Sequence, residues 1–254
     1  MILDLFKLDG KVALVTGAGQ GLGQGMALAL AEAGADIATL DRTGCKGTCG
    51  AVADLGRRYY ESIVDLREAS VEQLKDVVAN VVKELGRIDI LINNAGTIRR
   101  TPAVDFSETD WDDVLQINLK AAFFLSQAVA RVMIPQGGGK IINVASMLSF
   151  QGGITVPSYT ASKSGIAGIT RALANEWAKH NINVNAIAPG YMATDNTAAL
   201  RADPNRSTSI LERIPAARWG TPDDLKGTVV FLASSASDYL NGAIIPVDGG
   251  WLAR

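Results

Sequence analysis

Cysteine and histidine are scarce in this chain of 254 residues. It has two cysteines, Cys45 and Cys49, with no histidine near them, and its one histidine is His180. Two thiols cannot by themselves complete a four-ligand zinc site, so we expect no metal centre. So few cysteines also exclude a disulfide framework and favour a reducing compartment. His180 follows a helical stretch, where a structural role at the helix end is expected.

An excess of charge of one sign and a long apolar run are missing as well. The formal net charge is −2, so no basic field predicts binding to nucleic acid or to an anionic membrane. The longest apolar stretch, 121–134, contains Ser126, Gln127 and Arg131 and is too short and too polar to span a bilayer. Residues 1–11 lack the apolar core of a signal peptide. These absences predict a cytoplasmic protein without nucleic-acid or membrane partners.

Short β-branched runs alternate with longer helical stretches along the whole chain. This alternation predicts an α/β fold with one domain over 1–254, a Rossmann-type doubly wound parallel sheet of about seven strands with helices on both faces. The predicted strands are 11–16, 36–41, 59–64, 88–93, 140–145, 183–187 and 243–247. Helix starts are predicted at Ser70, Ser107 and Thr221, and helix ends at Gly34 and Gly86.

Residues 191–215 carry few periodic signals and contain charges and a proline. They follow a predicted strand end, where ligands bind in parallel sheets. Two interpretations stay open: an ordinary surface segment, or a mobile segment that covers a substrate.

A glycine-rich turn follows the first predicted strand. Gly17, Gly19, Gly21 and Gly23 lie between that strand and a helix rich in alanine and leucine. Glycines allow a tight turn, close approach of a diphosphate to the backbone and close packing of helix on strand. The helix N-terminus then offers free N–H groups to the diphosphate. Glycines alone are a weak signal, but this context predicts a dinucleotide site.

The second predicted strand ends at Asp41, about twenty residues after the turn. A carboxylate there accepts hydrogen bonds from an adenosine ribose and repels a 2′-phosphate, which favours NAD and makes NADP the less favoured cofactor. The adjacent Arg42 could hold a phosphate, so both residues are candidate cofactor contacts.

Tyr159 and Lys163 are four residues apart in a helical stretch and so share one face. A tyrosine with a reference pKa near 10 is a poor base at neutral pH. An ammonium about 4 Å away, at an effective dielectric of about 20, favours the phenolate by roughly 4 kcal/mol, or about three pKa units. The pair predicts a phenol that exchanges a proton near neutral pH. Ser146 ends the fifth predicted strand, where its hydroxyl can donate to a substrate oxygen.

Two adjacent arginines, Arg99 and Arg100, follow the fourth predicted strand at the same edge of the sheet. Guanidinium groups bind carboxylates with two hydrogen bonds, so a sugar acid is a reasonable substrate class. Two solvated arginines remain the alternative interpretation.

These motifs, in this order, resemble the short-chain dehydrogenase/reductase family along the whole chain. The turn at 16–23 resembles the family's T-G-x-x-x-G-x-G, 93–96 its N-N-A-G, and 189–190 its P-G motif. The resemblance implies that Tyr159 exchanges the proton, Ser146 polarises the carbonyl, Lys163 tunes Tyr159 and holds a ribose, and Asn118 orders a water. It implies further cofactor contacts, which are Gln20, Leu22, Asp65, Leu66, Asn93, Ala95, Gly96, Pro189, Gly190 and Thr194.

Several longer stretches, including 98–100, 145–153, 175–185, 217–220 and 247–254, resemble members of that family that act on sugar acids. With Arg99, Arg100, Ser146 and Tyr159, the candidate substrate contacts include Met147 and Gln151. Three alternatives are carried forward: a gluconate dehydrogenase, a 3-oxoacyl-carrier-protein reductase, and an NAD-binding protein without turnover. The second would need a basic docking patch, and none is obvious in the sequence. The family commonly forms homotetramers, for which Trp251 is a candidate contact.

Overall fold

Seven parallel strands form one sheet in the computed structural model, which describes residues 1–254. The strands are β1 (Val12–Thr16), β2 (Asp36–Asp41), β3 (Tyr59–Ile63), β4 (Ile90–Asn93), β5 (Gly139–Val144), β6 (Ile182–Pro189) and β7 (Ile244–Val247). Their order is β3-β2-β1-β4-β5-β6-β7. The strand order reverses between β1 and β4, and in such sheets the ligand crevice opens at the carboxyl ends beside that reversal.

Nine helices connect the strands. They are α1 (Gly21–Glu32), α2 (Lys46–Asp54), α3 (Val71–Leu85), α4 (Glu108–Leu115), α5 (Ala121–Gln136), α6 (Pro157–Trp177), α7 (Ala198–Ala202), α8 (Pro204–Arg213) and α9 (Asp223–Ala233). The predicted fold class is confirmed, with each strand bound within two residues of its predicted position.

The core lies on both faces of the sheet. Apolar side chains of α3 and α5, such as Val78 and Val129, pack on one face, and those of α1 and α9, such as Leu30 and Val229, pack on the other. The central strands are therefore buried on both sides, as continuous apolar strands of a parallel sheet require. This packing fixes the strand ends from which the site is built.

Three of the predicted helix boundaries are confirmed in detail. Ser70 caps α3 and forms a box with Gln73, and Ser107 accepts a hydrogen bond at the start of α4. Gly86 ends α3 at a φ of +91°. The prediction for Thr221 is wrong: α9 begins at Asp223, and the Asp224 carboxylate instead accepts hydrogen bonds from the Thr221 amide and hydroxyl.

The segment 191–215 is not irregular. It holds a short 3₁₀ turn and the helices α7 and α8, and α8 is capped by Asp203, whose carboxylate accepts from Asn205 and Arg206. α7 has only five residues, none of them buried, and α8 is largely polar with one buried residue, Ile210. A pattern this sparse is too weak for a periodicity argument to detect.

One continuous helical stretch, 108–136, is long and apolar enough to cross a membrane by length and composition alone. Half of its most apolar window is buried inside the fold. Leu125, Val129 and Met133 of α5 belong to the core beneath the sheet. The apolar side chains of this stretch therefore pack in the core of the fold. The stretch contains a π-turn over Gln116–Lys120, where the helix passes the candidate site.

Candidate active site

The glycine-rich turn joins β1 to α1 at the carboxyl edge of the sheet. A Cβ on Gly23 would lie 2.0 Å from the Gly17 carbonyl oxygen, so α1 can approach the strand only with glycine at 23. Gly17 and Gly21 adopt φ values of +65° and +59°, in the left-handed region that favours glycine. Each of these glycines is thus required by packing or by backbone conformation.

The N-terminus of α1 faces this turn without a side-chain cap, because the side chain of Gln20 at the N-cap position accepts no hydrogen bond. Leu22 lies in the first turn of the same helix. The first N–H groups of a helix have no intrahelical acceptor and carry a positive partial charge. The turn therefore fits a diphosphate, with bare backbone and uncapped amides at one place.

A second loop supports the turn from below. The side-chain amide of Asn94 donates to the carbonyl oxygens of Thr16 and Gly17 at 2.9 and 3.0 Å. The Thr16 hydroxyl in turn accepts from the backbone amides of Asn94 and Ala95. Asn94 lies within the N-N-A-G motif, but neither Asn94 nor Thr16 was among the predicted contacts. The two residues are almost eighty positions apart in the sequence, so no local pattern predicts that they bond.

Asp41 at the end of β2 points at the glycine-rich turn. Its carboxylate accepts from the Gly19 amide at 3.0 Å and from the Thr43 amide at 3.2 Å. Arg42 is exposed beside it and forms no salt bridge. A carboxylate therefore lies where the adenosine end of a dinucleotide is predicted, with a free cation next to it.

Thr48 of α2, which was not among the predicted contacts, supports the glycine-rich turn. Its fully buried hydroxyl donates to the Ala18 carbonyl at 2.7 Å and accepts from the Gln24 amide at 3.2 Å. The segment that carries Cys45 and Cys49 is thus bound to the cofactor turn. A threonine inside a helix gives no local signal of such a contact.

The remaining predicted cofactor residues lie along the same edge with different exposure. Leu66 and Asn93 are buried, and the Asn93 amide donates to Ser126 and Asn143 inside the sheet. Asp65 follows β3, and its carboxylate accepts from the Arg67 amide. The structure therefore leaves Leu66 and Asn93 only their backbone atoms for a cofactor.

The residues after β6 reach back to the glycine-rich turn. Pro189 ends β6. The next residue, Gly190, packs so closely on Asp248 that a Cβ added to Gly190 would lie 2.6 Å from the Asp248 Cα. The Thr194 methyl is 3.7 Å from the place where a Cβ on Gly21 would lie. Thr194 and the turn thus face each other across the crevice.

Ser146, Tyr159 and Lys163 come together at the end of β5. Tyr159 and Lys163 lie in α6, and the Lys163 ammonium is 5.6 Å from the centre of the Tyr159 ring. That ammonium donates to the Val144 carbonyl at 2.6 Å. The structure places in one pocket the three side chains that the sequence predicted would act together.

The pKa of Tyr159 differs from the value that the sequence predicts. Burial raises the pKa of the Tyr159 phenol, and the nearby Ser146 hydroxyl and the charge of Arg100 partly oppose the rise. Burial lowers the pKa of Lys163 to about 8. In the protein without a cofactor, burial thus outweighs the lowering of the Tyr159 pKa that the sequence predicts from Lys163.

Asn118 lies in the π-turn, and both polar atoms of its side chain are hydrogen-bonded. Its amide nitrogen donates to the Thr97 carbonyl at 2.9 Å and to the Ser162 hydroxyl at 3.1 Å, and its oxygen accepts from the Thr97 amide. A Cβ on Gly96 would lie 3.3 Å from that oxygen. Asn118 thus ties the loop after β4 to the helix that carries Tyr159.

The two arginines after β4 have different environments. The Arg99 guanidinium donates to Asp110 at 3.0 Å and to Asp113 at 3.4 Å, and it also bonds the Thr97 hydroxyl. Two carboxylates of α4 therefore neutralise Arg99. The structure does not support a substrate contact for Arg99.

Arg100 has no acidic partner. Its guanidinium donates to the Asn196 carbonyl at 3.3 Å, and its charge acts on the Tyr159 phenol. Arg100 is thus an exposed cation without a counter-ion that bonds the segment 191–215 and whose charge reaches the phenol. Met147 and Gln151 lie in the next loop: Met147 is buried against Ile210, whereas Gln151 is half-buried.

The profile of the short chain dehydrogenase family matches residues 11–205. The chain belongs to this family. Its members catalyse oxidation of alcohols and reduction of ketones with NAD or NADP, so the chain is an oxidoreductase that acts on CH–OH groups.

Proteins similar to this short-chain dehydrogenase carry names of sugar-acid enzymes. The 2-dehydro-3-deoxy-D-gluconate 5-dehydrogenase of Escherichia coli K12 is 63% identical over 100% of both chains. A solved putative 2-deoxy-D-gluconate 3-dehydrogenase of Agrobacterium tumefaciens, with bound NADP, is 52% identical over 99% of this chain and 100% of its own, with a TM-score of 0.92. A gluconate 5-dehydrogenase of Burkholderia cenocepacia, in complex with NADP and tartrate, is 39% identical over 100% of both, with a TM-score of 0.95.

The site of this dehydrogenase places a phenol, a serine hydroxyl and a cation without a counter-ion along one edge of the sheet. Such a combination can exchange a proton at a substrate hydroxyl, polarise the same oxygen and bind an anionic group.

Proposed function

We propose that this dehydrogenase interconverts a secondary hydroxyl and a ketone on a sugar acid, namely 2-dehydro-3-deoxy-D-gluconate and its 5-keto form, with NAD(H). Arg100 carries the proposal, since it has no acidic partner, its charge reaches the Tyr159 phenol, and a guanidinium can bind a carboxylate of the substrate with two hydrogen bonds. The names of similar proteins that span the whole chain supply the particular acid.

The proposed chemistry uses three side chains of the pocket. In alcohol oxidation, the Tyr159 phenolate accepts the hydroxyl proton as the C–H bond gives up its hydride. The bound nicotinamide would supply the hydride acceptor. Ser146 donates to the substrate oxygen and stabilises its developing charge. The Lys163 ammonium, 5.6 Å from the ring centre, and the positive charge of a bound oxidised nicotinamide would oppose the rise that burial gives to the pKa of Tyr159. Asn118 holds the neighbouring loop in register.

Arg100 would orient the substrate through its carboxylate. Its bond to Asn196 also connects the substrate to the segment 191–215, for which we propose a covering role. Met147 and Gln151 would line the same subsite. Arg99 is left out of the binding set because Asp110 and Asp113 neutralise it.

NAD is the proposed cofactor because Asp41 occupies the end of β2 and would repel a 2′-phosphate. Arg42, exposed next to it, is the residue that could accept such a phosphate. The NADP bound to the Agrobacterium tumefaciens protein makes this preference a property to be measured for each member.

Gluconate is the second candidate substrate, since similar proteins from Burkholderia cenocepacia and Gluconobacter oxydans are named gluconate 5-dehydrogenases. Both acids present a carboxylate to Arg100 and differ in the carbon chain. We further propose a cytoplasmic homotetramer. Trp251 does not support it, because the ring is buried within its own chain against Ile210, Ile214 and Tyr191.

The proposal is tested by following NADH at 340 nm with a panel of substrates and both cofactors. The expected result is turnover of 2-dehydro-3-deoxy-D-gluconate with NAD at a higher kcat/KM than gluconate or neutral polyols. A higher kcat/KM for neutral polyols than for every acid would contradict the sugar-acid assignment.

Replacement of Arg100 tests the carboxylate contact. A hydrogen bond to a charged group contributes about 1.5–3 kcal/mol, so Arg100→Ala should raise KM for the acid roughly 10- to 150-fold. A neutral analogue without the carboxylate should lose much less. Arg99→Ala is the matched control and should leave the KM ratio of acid to neutral analogue unchanged. Equal losses on acid and neutral analogue in Arg100→Ala would exclude the contact.

A further inference from the structure

A short turn after β5 holds Ser146 in place. Ser146 is the N-cap of a 3₁₀ turn over Met147–Ser149, and its hydroxyl oxygen accepts from the Leu148 amide at 3.1 Å. A hydroxyl has one hydrogen to donate and two lone pairs. The turn occupies a lone pair of Ser146, which leaves its hydrogen for the Tyr159 phenol or for a substrate oxygen in the crevice.

Ser149 closes that turn from its other end. Its hydroxyl oxygen accepts from the Ser146 amide at 3.3 Å, and its hydrogen is donated to the Lys163 carbonyl at 2.6 Å. One hydroxyl therefore bonds the backbone of Ser146 on one side and the backbone of Lys163 on the other.

These bonds form a closed ring around the pocket. The Lys163 ammonium donates to the Val144 carbonyl at 2.6 Å, and the Lys163 carbonyl accepts from Ser149, which returns to Ser146. Val144 and Ser146 are two residues apart at the end of β5. The helical turn of Tyr159 and Lys163 is thus held against the strand end on both sides.

We propose that Ser149 is a positioning residue for proton transfer, whose hydroxyl fixes Ser146 against the helical turn that carries Tyr159 and Lys163. The inference rests on the proposed alcohol–ketone reaction, but it is independent of which acid is oxidised. Ser149 touches neither substrate nor cofactor in this role. It acts through the place of the Ser146 backbone.

Loss of the Ser149 hydroxyl has two consequences. The Ser146 amide loses its acceptor and the Lys163 carbonyl loses its second donor, so the two sides of the pocket can separate. Reacting groups displaced by about 1 Å lose roughly 100-fold in rate. Because the Ser146 hydroxyl also lowers the pKa of Tyr159, its retreat should raise that pKa further.

The experiment compares Ser149→Ala with Ser164→Ala. Ser164 is an exposed hydroxyl on the same helix that donates to the same turn, at the Leu148 carbonyl and 3.3 Å, without bonding Ser146. For Ser149→Ala we expect kcat to fall roughly 10- to 100-fold. KM, NADH affinity and melting temperature should stay close to those of the wild type. Ser164→Ala should keep kcat within about twofold of the wild type, as surface changes usually do.

Two further readouts separate positioning from a merely structural role. In Ser149→Ala the rate of alcohol oxidation should rise at a higher pH than in the wild type. Ser149→Thr, which keeps the hydroxyl, should restore most of kcat, whereas Ser149→Cys should lower it because a thiol bonds weakly.

Equal kcat for Ser149→Ala and Ser164→Ala would overturn the proposal. So would parallel losses of kcat, NADH affinity and melting temperature that Ser149→Thr fails to rescue. The ratios are measured with any alcohol that the wild type oxidises. A failure of the sugar-acid assignment therefore appears in the wild-type substrate panel and not in these ratios.

Discussion

At the scale of single residues, the decisive feature is which polar groups are already bonded within the chain. Arg99 and Arg100 are neighbours in sequence, yet two carboxylates hold the first and none holds the second. Asn118 is fully bonded by Thr97 and Ser162. Of these side chains, Arg100 keeps a charge without an acidic partner, and it is therefore the one that can bind an anionic group of a substrate.

The protonation of Tyr159 predicts opposite pH dependences for the two directions of the reaction. Oxidation needs the phenolate, whose pKa burial raises, so its rate should increase with pH. Reduction needs the protonated phenol and should be faster at lower pH. Initial rates in both directions between about pH 6 and pH 10 check this.

Ser146→Ala sharpens the same measurement. Since the Ser146 hydroxyl opposes the raised pKa of Tyr159, its removal should move the rise in oxidation rate to higher pH. Identical pH profiles for the two directions, or a profile unmoved in Ser146→Ala, would contradict the assignment of the proton transfer to Tyr159.

The sequence predicts which residues meet in the pocket, but it does not predict how each side chain is bonded there. The residues predicted to act together, Ser146, Tyr159 and Lys163, do meet in one pocket, because spacing on a helix and position at a strand end are local properties. The difference between Arg99 and Arg100 depends on Asp110 and Asp113 of a later helix. The orientation of Lys163 toward Val144 depends on tertiary contact. Neither could be read from a local pattern.

At the scale of elements, the cofactor turn is held by contacts from three sides. Asn94 supports it from the loop after β4, Thr48 from α2, and Gly23 admits α1. The sequence predicted the turn from its glycines, but it could not predict the two braces, since asparagine and threonine are common in loops and helices. The turn is thus shaped as much by distant residues as by its own.

Close packing at Gly23 gives a prediction for this element. A Cβ in Gly23→Ala would lie 2.0 Å from the Gly17 carbonyl oxygen, so the helix must move away from the turn. Such overpacking costs about 1–3 kcal/mol, and NADH affinity should fall with the displaced amides. Chemical denaturation and titration of NADH fluorescence measure the two effects.

Gly50→Ala is the matched control in the neighbouring helix α2. No atom lies within 4 Å of its added Cβ, so the change should increase stability by about 0.4–1 kcal/mol and leave NADH affinity unchanged. If Gly23→Ala behaves like Gly50→Ala in both measurements, close approach of α1 is not what forms the cofactor turn.

At the scale of the whole molecule, the sheet order explains why residues far apart in sequence share one crevice. The ends of β1, β4, β5 and β6 are adjacent, and they carry the glycine-rich turn, the arginine loop, Ser146 and Thr194. Alternation of strands and helices was enough to predict this architecture. The helix α7 was missed because five residues are too few to show a period, and α8 because it is largely polar with one buried residue.

In the proposed reaction, Tyr159 moves the proton in a crevice that binds the cofactor independently of it. Turnover and NADH binding of Tyr159→Phe should therefore be measured on the same preparation. We expect an NADH affinity close to that of the wild type together with loss of oxidation and reduction. A Tyr159→Phe enzyme that turns over at the wild-type rate would contradict this role of Tyr159.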